Sequence, residues 1–232
     1  MTTTTVGVSL KMYFGPGQAR DWFARVAELV GDRTDVDVFV IPSFVSIPAA
    51  LQAFADTTVA VGAQDLFWED AGAFTGEVSG AELAELGARY AEVGPAERRR
   101  LFGETEEVVA LKTAAALRNG LTPVLCVGEH GRVGAEEAGA SCPAQLEHAP
   151  AGEVLLAYEP VWAIGAPEPA PADHIRAVCS ALKSVGHRVI YGGSAGPGLL
   201  TTLGDDVDGL FLGRFAHDPA ALARVIEEAV SR

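Results

Sequence analysis

Two charged side chains and two glycine-rich turns in this chain have the types and positions to act together on a substrate. Glu159 closes the apolar run Val154-Leu155-Leu156-Ala157-Tyr158, and Pro160 follows it. Such a run reads as a buried parallel strand, and proline cannot continue a hydrogen-bonded ladder, so a carboxylate is left at the strand's C-terminal mouth. A general base can stand there. Lys11 stands in the same way after Val6-Gly7-Val8-Ser9-Leu10. Gly192-Gly193-Ser194 and Gly213-Arg214 follow two further apolar runs, where backbone N–H groups at helix starts can hold a phosphate. Each has a plainer reading alone: strand-end glutamates are commonly solvated, lysines snorkel to the surface, and glycines make turns. Together, a phosphate cradle, one cation and one base fit proton transfer on a small phosphorylated substrate.

Other chemistries lack their residues. No serine sits in a nucleophile elbow, the histidines and cysteines are not at ligand spacing, and Gly193 to Gly198 does not match the dinucleotide fingerprint. No metal and no cofactor are expected. A net charge of -14 repels nucleic acid and anionic lipid. Cys126, Cys142 and Cys179 are odd in number and read as core thiols in a reducing compartment. Met1-Thr2-Thr3-Thr4-Thr5 lacks a signal-peptide pattern, and no apolar run has membrane-spanning length, so a cytoplasmic protein is expected.

The elements that must position these residues repeat along the chain. Eight short apolar runs each precede a helical pattern or a loop: Val6–Leu10, Val38–Ile41, Val59–Gly62, Tyr90–Gly94, Pro123–Gly128, the run ending at Glu159, Arg188–Tyr191 and Gly209–Gly213. No change of composition divides them, so one domain over 1–232 is expected. Eight βα units in this length close most naturally into a (β/α)8 barrel, with a doubly wound open sheet as the alternative. The first helix should face inward with Trp22, Phe23, Val26, Leu29 and Val30, and the last with Leu222, Val225, Ile226 and Ala229 behind an Asp218-Pro219 start. His130 to Ala151 is weakly patterned and predicts at most a short, poorly packed helix. The loop from Gln64 to Glu77 carries Leu66, Phe67, Trp68 and Phe74 where a solvated loop would be polar, so it should bury against something, most simply a second copy of the chain.

These residues resemble the triosephosphate isomerase family over nearly the whole chain. The matching pieces are Lys11-Met12, Gly62-Ala63-Gln64 with Gly72 to Glu77, Glu97-Arg98-Arg99 with Phe102-Gly103-Glu104-Thr105, Cys126 to Glu129, Ala157 to Gly165, Tyr191 to Ser194, and Asp208-Gly209. The resemblance implies a TIM barrel, shortened here in the outer helices after strands five and six, and isomerisation of a triose or tetrulose phosphate through an enediol. It implies Glu159 as the base, Lys11 on the substrate anion and a closing lid after Ile164. It also implies a phosphate site at Gly165, Ser194 and Gly213, and a homodimer formed through loop 64–77 with Gln64, Phe74 and Thr75. The stretches Leu66-Phe67-Trp68 and Leu210 to Arg214 look closer to relatives acting on four-carbon erythrulose phosphates.

The departures are as informative. A glutamate base beside a neutral histidine is the pattern for which this family is a standard illustration, yet the family's Gly-His-Ser-Glu-Arg-Arg reads Gly94-Pro95-Ala96-Glu97-Arg98-Arg99 here. Losing a preorganised electrophile costs about 3 kcal/mol of barrier. Ser9 stands where the family has asparagine, and Ala166-Pro167-Glu168 replaces the lid's Thr-Gly-Lys, removing an N–H donor and adding an acid. Arg214 replaces a glycine, and its guanidinium can make a phosphate contact that Pro167 cannot. Three groups are candidates for the missing electrophile: Glu97 held protonated by burial, His130 and His217. A slow or altered isomerase and a catalytically inactive phosphosugar-binding paralogue are both open at this point.

Overall fold

Each of the eight apolar runs becomes a strand of one closed parallel barrel, in chain order, within the residues 3–232 that this computed structural model describes. Met1 and Thr2, the start of the stretch read as lacking a signal peptide, lie outside the described residues. The strands are β1 (Thr5–Ser9), β2 (Asp37–Ile41), β3 (Ala60–Ala63), β4 (Tyr90–Val93), β5 (Thr122–Val127), β6 (Leu155–Tyr158), β7 (Arg188–Tyr191) and β8 (Gly209–Leu212). β8 pairs back onto β1, with Thr5 opposite Gly209 and Val8 opposite Leu212, so no sheet edge is left open. The open-sheet alternative is excluded.

Alternation along the strands sorts side chains into two layers. Phe39, Ile41, Val124, Cys126, Leu155, Ala157, Ile190 and Phe211 fill the barrel's inside, while Val6, Val8, Val38 and Val40 face the helices. The aromatic filling sets a local rule on β1: a Cβ at Gly7 would lie 2.2 Å from the Phe39 ring, so only glycine fits there.

The outer layer is α1 (Pro16–Val30), α2 (Ile47–Ala53), α3 (Gly80–Leu86), α4 (Ala96–Phe102), α5 (Glu106–Arg118), α6 (Ala135–Ala144), α7 (Ala172–Ser184), α8 (Leu199–Leu203) and α9 (Pro219–Val230). Asp218 caps α9 by accepting from the Ala220 N–H at 3.0 Å, and the four expected inward residues of α9 are buried. On α1, Trp22, Phe23, Val26 and Val30 are buried together with Ala19, but Leu29 is half-exposed at the rim of the stripe, beyond Trp22. The stretch after β5 departs from its sequence reading. It forms a ten-residue helix, α6, packed on the thirteen-residue α7, with Ala138 and Cys142 fully buried. The physical reason is the small residues: a Cβ on Gly139 would already stand 3.7 Å from the Ala177 carbonyl and the Ala181 Cβ. Among the described residues no helix is long and apolar enough to cross a membrane.

Candidate active site

One cavity of about 710 Å³ opens at the C-terminal mouth of the barrel, and Lys11, Glu97, Glu159, Gly165, Ser194, Gly213 and Arg214 all line it. These residues come from five strand ends and are separated by up to two hundred positions in the chain. Closure of the barrel is what brings them together.

Lys11 leaves β1 with a φ of 48°, the only positive φ at a non-glycine among the described residues. Such a conformation costs on the order of 1–3 kcal/mol and persists only where the surroundings fix it. Gln64 does the fixing: its amide donates to the Lys11 carbonyl at 2.9 Å and to the Ile41 carbonyl at 3.3 Å. Gln64, read from sequence as part of a subunit contact, thus has its amide turned toward the site. The Lys11 ammonium is ion-paired with Glu97. Burial disfavours its charge, but Glu159, Glu92 and Glu97 outweigh that and hold it well above the ordinary lysine value. It is a fixed cation.

Glu159 follows β6 and is only 6% exposed. Its backbone N–H still donates to Val127, but one carboxylate oxygen, Oε2, is buried without a partner. Gly192 on the neighbouring strand end leaves room for it, since a Cβ there would come within 2.8 Å of the Glu159 Cγ. Desolvation pushes this carboxyl up to about 8, with Lys11 pulling it down and Glu92 and Glu97 pushing it further up. An underhydrated carboxylate of this kind is a stronger base than one in water.

Glu97 does not behave as a buried neutral acid. Burial alone would raise its carboxyl, but the charge and hydrogen bond of Lys11 hold it below the ordinary value, so it is ionised. His130 and His217 do not line the cavity. His217 packs instead against the rings of Phe14 and Tyr13, at 4.7 and 5.1 Å between centroids, and burial together with Arg214 lowers its basicity. Pro95 occupies the cap position of α4 and offers no donor.

A third carboxylate escaped the sequence reading. Glu92 lies on β4, is 3% exposed, and has its Oε2 2.9 Å from the Ser9 hydroxyl, which lines the cavity. Burial raises it to about 7, offset in part by Lys11 and by Ser9. Its signal was parity: Glu92 is two residues beyond Tyr90, whose ring stacks on Phe39 inside the barrel, so its side chain points the same way.

Ser194 and Arg214, the candidates for a phosphate, are hydrogen-bonded to the segment after Ile164 that was expected to form a lid. Ser194 donates from its hydroxyl to the Ala166 carbonyl at 2.7 Å and from its backbone N–H to Ala163 at 3.2 Å, and Arg214 donates to the Gly165 carbonyl at 3.0 Å. Glu129, to which the sequence reading gave no role, anchors the lid's start. It is 6% exposed and accepts from Trp162 Nε1 at 2.8 Å and Tyr158 OH at 3.1 Å, with His174 Nε2 at 2.9 Å. The lid's far end is fixed where the Ala170 N–H donates to Tyr191 OH at 3.1 Å.

In the loop after β3, Leu66 is buried within the chain, Phe67 packs on Trp68 and on Phe74, and Phe74 and Thr75 remain exposed.

The sequence pattern of the triosephosphate isomerase family matches residues 4–229. The chain is 54% identical to an L-erythrulose-1-phosphate isomerase of Pectobacterium atrosepticum, over 97% of its own length and 95% of that protein's. It is 43% identical to an L-erythrulose-1-phosphate isomerase of Rhizobium etli, covering 91% and 86% of the two chains. It is also 38% identical to a triosephosphate isomerase of Moorella thermoacetica, covering 93% and 94%.

Proposed function

The chain belongs to the triosephosphate isomerase family, as an isomerase of a small phosphorylated sugar, and from that premise we propose that its substrate is a four-carbon ketose phosphate of the erythrulose kind. The observation that carries the chemistry is the unpartnered Glu159 oxygen in the same cavity as the Lys11 cation and the phosphate donors. Glu159 takes the proton from the carbon beside the carbonyl and returns it to the neighbouring carbon. Lys11 stabilises the negative charge that develops on oxygen. Ser194, the Gly213 turn and Arg214 bind the phosphate once it displaces the lid carbonyls they now hold. The four-carbon substrate is supported by the name of the relative 54% identical to this chain. Homodimerisation through loop 64–77 and a cytoplasmic location complete the reading, the second supported by three buried free thiols.

Isomerisation of L-erythrulose 1-phosphate and of dihydroxyacetone phosphate in deuterated water tests this, following product and deuterium uptake together. The wild type should turn over the four-carbon substrate faster than the three-carbon one, and Glu159→Ala should lose about 10²–10⁴-fold. Pro95, which cannot donate to a carbonyl, favours a second reading as a phosphosugar-binding paralogue without catalysis. Turnover and exchange no greater than in Glu159→Ala, with phosphosugar binding intact, would establish that one instead.

A further inference from the structure

Forming an enediol needs a proton for the carbonyl oxygen as well as a base for the carbon. Among the groups lining the cavity, Lys11 is paired to Glu97, Glu97 is ionised, and Ser194 and Arg214 sit at the phosphate end. The remaining buried hydroxyl is Ser9, 3% exposed, and its partner is the carboxyl of Glu92. We propose that Glu92, acting through the Ser9 hydroxyl, supplies the proton to the substrate's carbonyl oxygen and takes it back, a relay facing Glu159 across the barrel mouth. The proposal rests on the isomerase reading above and gives that site its missing acid.

Three observations support it. The Ser9 hydroxyl donates to Glu92 Oε2 at 2.9 Å here; with Glu92 protonated the hydroxyl rotates to accept, and, a weak acid alone, it can then pass on the carboxyl's proton as it receives it. Burying a carboxyl on β4 costs stability that an aliphatic side chain would not, and the cost falls at the one strand position that reaches the cavity through Ser9. The charges around Glu92 also favour a shared proton. Its titratable neighbours are Lys11 after β1, Asp65 after β3, Glu97 on α4, Cys126 on β5 and Glu159 after β6, and of these only Lys11 is a cation. Glu92 and Glu159 are raised to about 7 and about 8, so the pair holds one proton in the neutral range.

The step balances. The C–H electron pair becomes the C=C bond as Glu159 takes the proton, and the carbonyl π pair becomes a lone pair on oxygen. That oxygen receives the Ser9 proton while Ser9 receives the Glu92 proton, leaving an enediol, a protonated Glu159 and an ionised Glu92. In the second half Glu159 returns its proton to the adjacent carbon. The hydroxyl on the neighbouring carbon becomes the new carbonyl, and its proton travels back through Ser9 to Glu92. The productive state is therefore the one-proton arrangement with Glu159 ionised and Glu92 protonated, the less populated of the two because burial raises Glu159 further than Glu92.

The test is the pH profile of kcat/KM for L-erythrulose 1-phosphate in the wild type, Glu92→Gln, Ser9→Ala and the double variant. The wild type should show a bell whose two limbs are the first and second ionisations of the coupled Glu92–Glu159 pair, since the productive state holds one proton between them. Glu92→Gln should lose about 10²-fold in kcat and reduce the bell to a single acid limb from Glu159, because the amide is as neutral as the protonated Glu92 it replaces and has no proton to lose at high pH. Ser9→Ala should lose about as much, and the double variant no more than either, as members of one unit do. If Glu92→Gln fails to fold, Ser9→Ala decides alone. A retained wild-type kcat and bell in either single variant of an active enzyme overturns the relay while leaving the isomerase reading standing. A wild type no faster than Glu159→Ala overturns both.

Discussion

Two buried carboxyls make the stability of this protein depend on pH in a direction opposite to that of ordinary salt-bridged acids. Glu159 and Glu92 keep their protons to about 8 and about 7 in the folded chain, against an ordinary value of 4.5. Between those values the folded state binds more protons than the unfolded one, so stability falls as pH rises. Their stabilising share is complete below about pH 4.5 and is lost by the time pH has risen through about 8. Replacing either by glutamine removes the charge that must be buried. Thermal melts of Glu159→Gln should therefore show a gain over wild type of about 1–3 kcal/mol at pH 9 and none at pH 4. An equal Tm for variant and wild type at pH 9 would mean the carboxylate is well solvated, contrary to its burial. Lys11 and Glu159 were legible in the sequence because each terminates an apolar run and so stands at a strand mouth. Glu92 was not, because a single acid inside the short run Tyr90-Ala91-Glu92-Val93 is invisible until the parity of Tyr90 is known. Glu97 was legible as a candidate and lines the cavity, but its protonation state was not legible, because it depends on the ion pair that folding forms with Lys11.

At the scale of elements, the lid and the turns after β7 and β8 form one device. The carbonyls of Gly165 and Ala166 occupy the donors of Arg214 and Ser194 that a phosphate would use, so ligand and lid compete for the same hydrogen bonds. On the proposed reading Arg214 carries the larger share of a phosphate's attraction because it is charged, and Pro167 can give nothing from its backbone. Arg214→Ala should weaken the binding of inorganic phosphate or a phosphosugar analogue by about 10-fold or more, measured by calorimetry. Unchanged affinity would show that Arg214 serves the lid only. Elements whose apolar residues keep a clean period were readable without the structure: β7 has the bounds expected of it, and α9 buries the four residues assigned to it. The packing of α6 is not legible in the sequence because its buried residues Ala138 and Cys142, and Gly139 facing Ala177 and Ala181 of α7, are small and give a close approach without a strong hydrophobic pattern. The lid's hold on Glu129 was unreadable for a different reason. Tyr158, Trp162 and His174 meet that carboxylate only because β5, β6 and α7 are neighbours in the closed barrel.

At the scale of the whole molecule, four large apolar side chains are exposed on consecutive segments at the barrel mouth of an acidic chain. Met12 is 93% exposed, Val45 81%, Phe102 68% and Phe74 41%. They lie on the segments after β1, β2, β4 and β3 respectively, and those four strands are consecutive around the barrel, so the side chains share one half of its rim. Two chains of net charge -14 repel each other at long range, so the proposed dimer would have to gain its stability from burying these side chains. Phe74 is the side chain best placed to test that, since it already packs on Phe67 at 4.6 Å between centroids and stands at the tip of the loop. Sedimentation of the wild type should give about twice the chain mass of 24.1 kDa, and Phe74→Asp should give the chain mass itself, because a carboxylate would have to be desolvated in the contact. Activity should fall with it. Gln64 belongs to the same loop and holds the strained backbone of Lys11, so a loop that loses its partner loosens the lysine of the site. A wild type that sediments at the chain mass would overturn the dimer. A monomeric Phe74→Asp with full turnover would show instead that the loop supports Lys11 without help from a second chain.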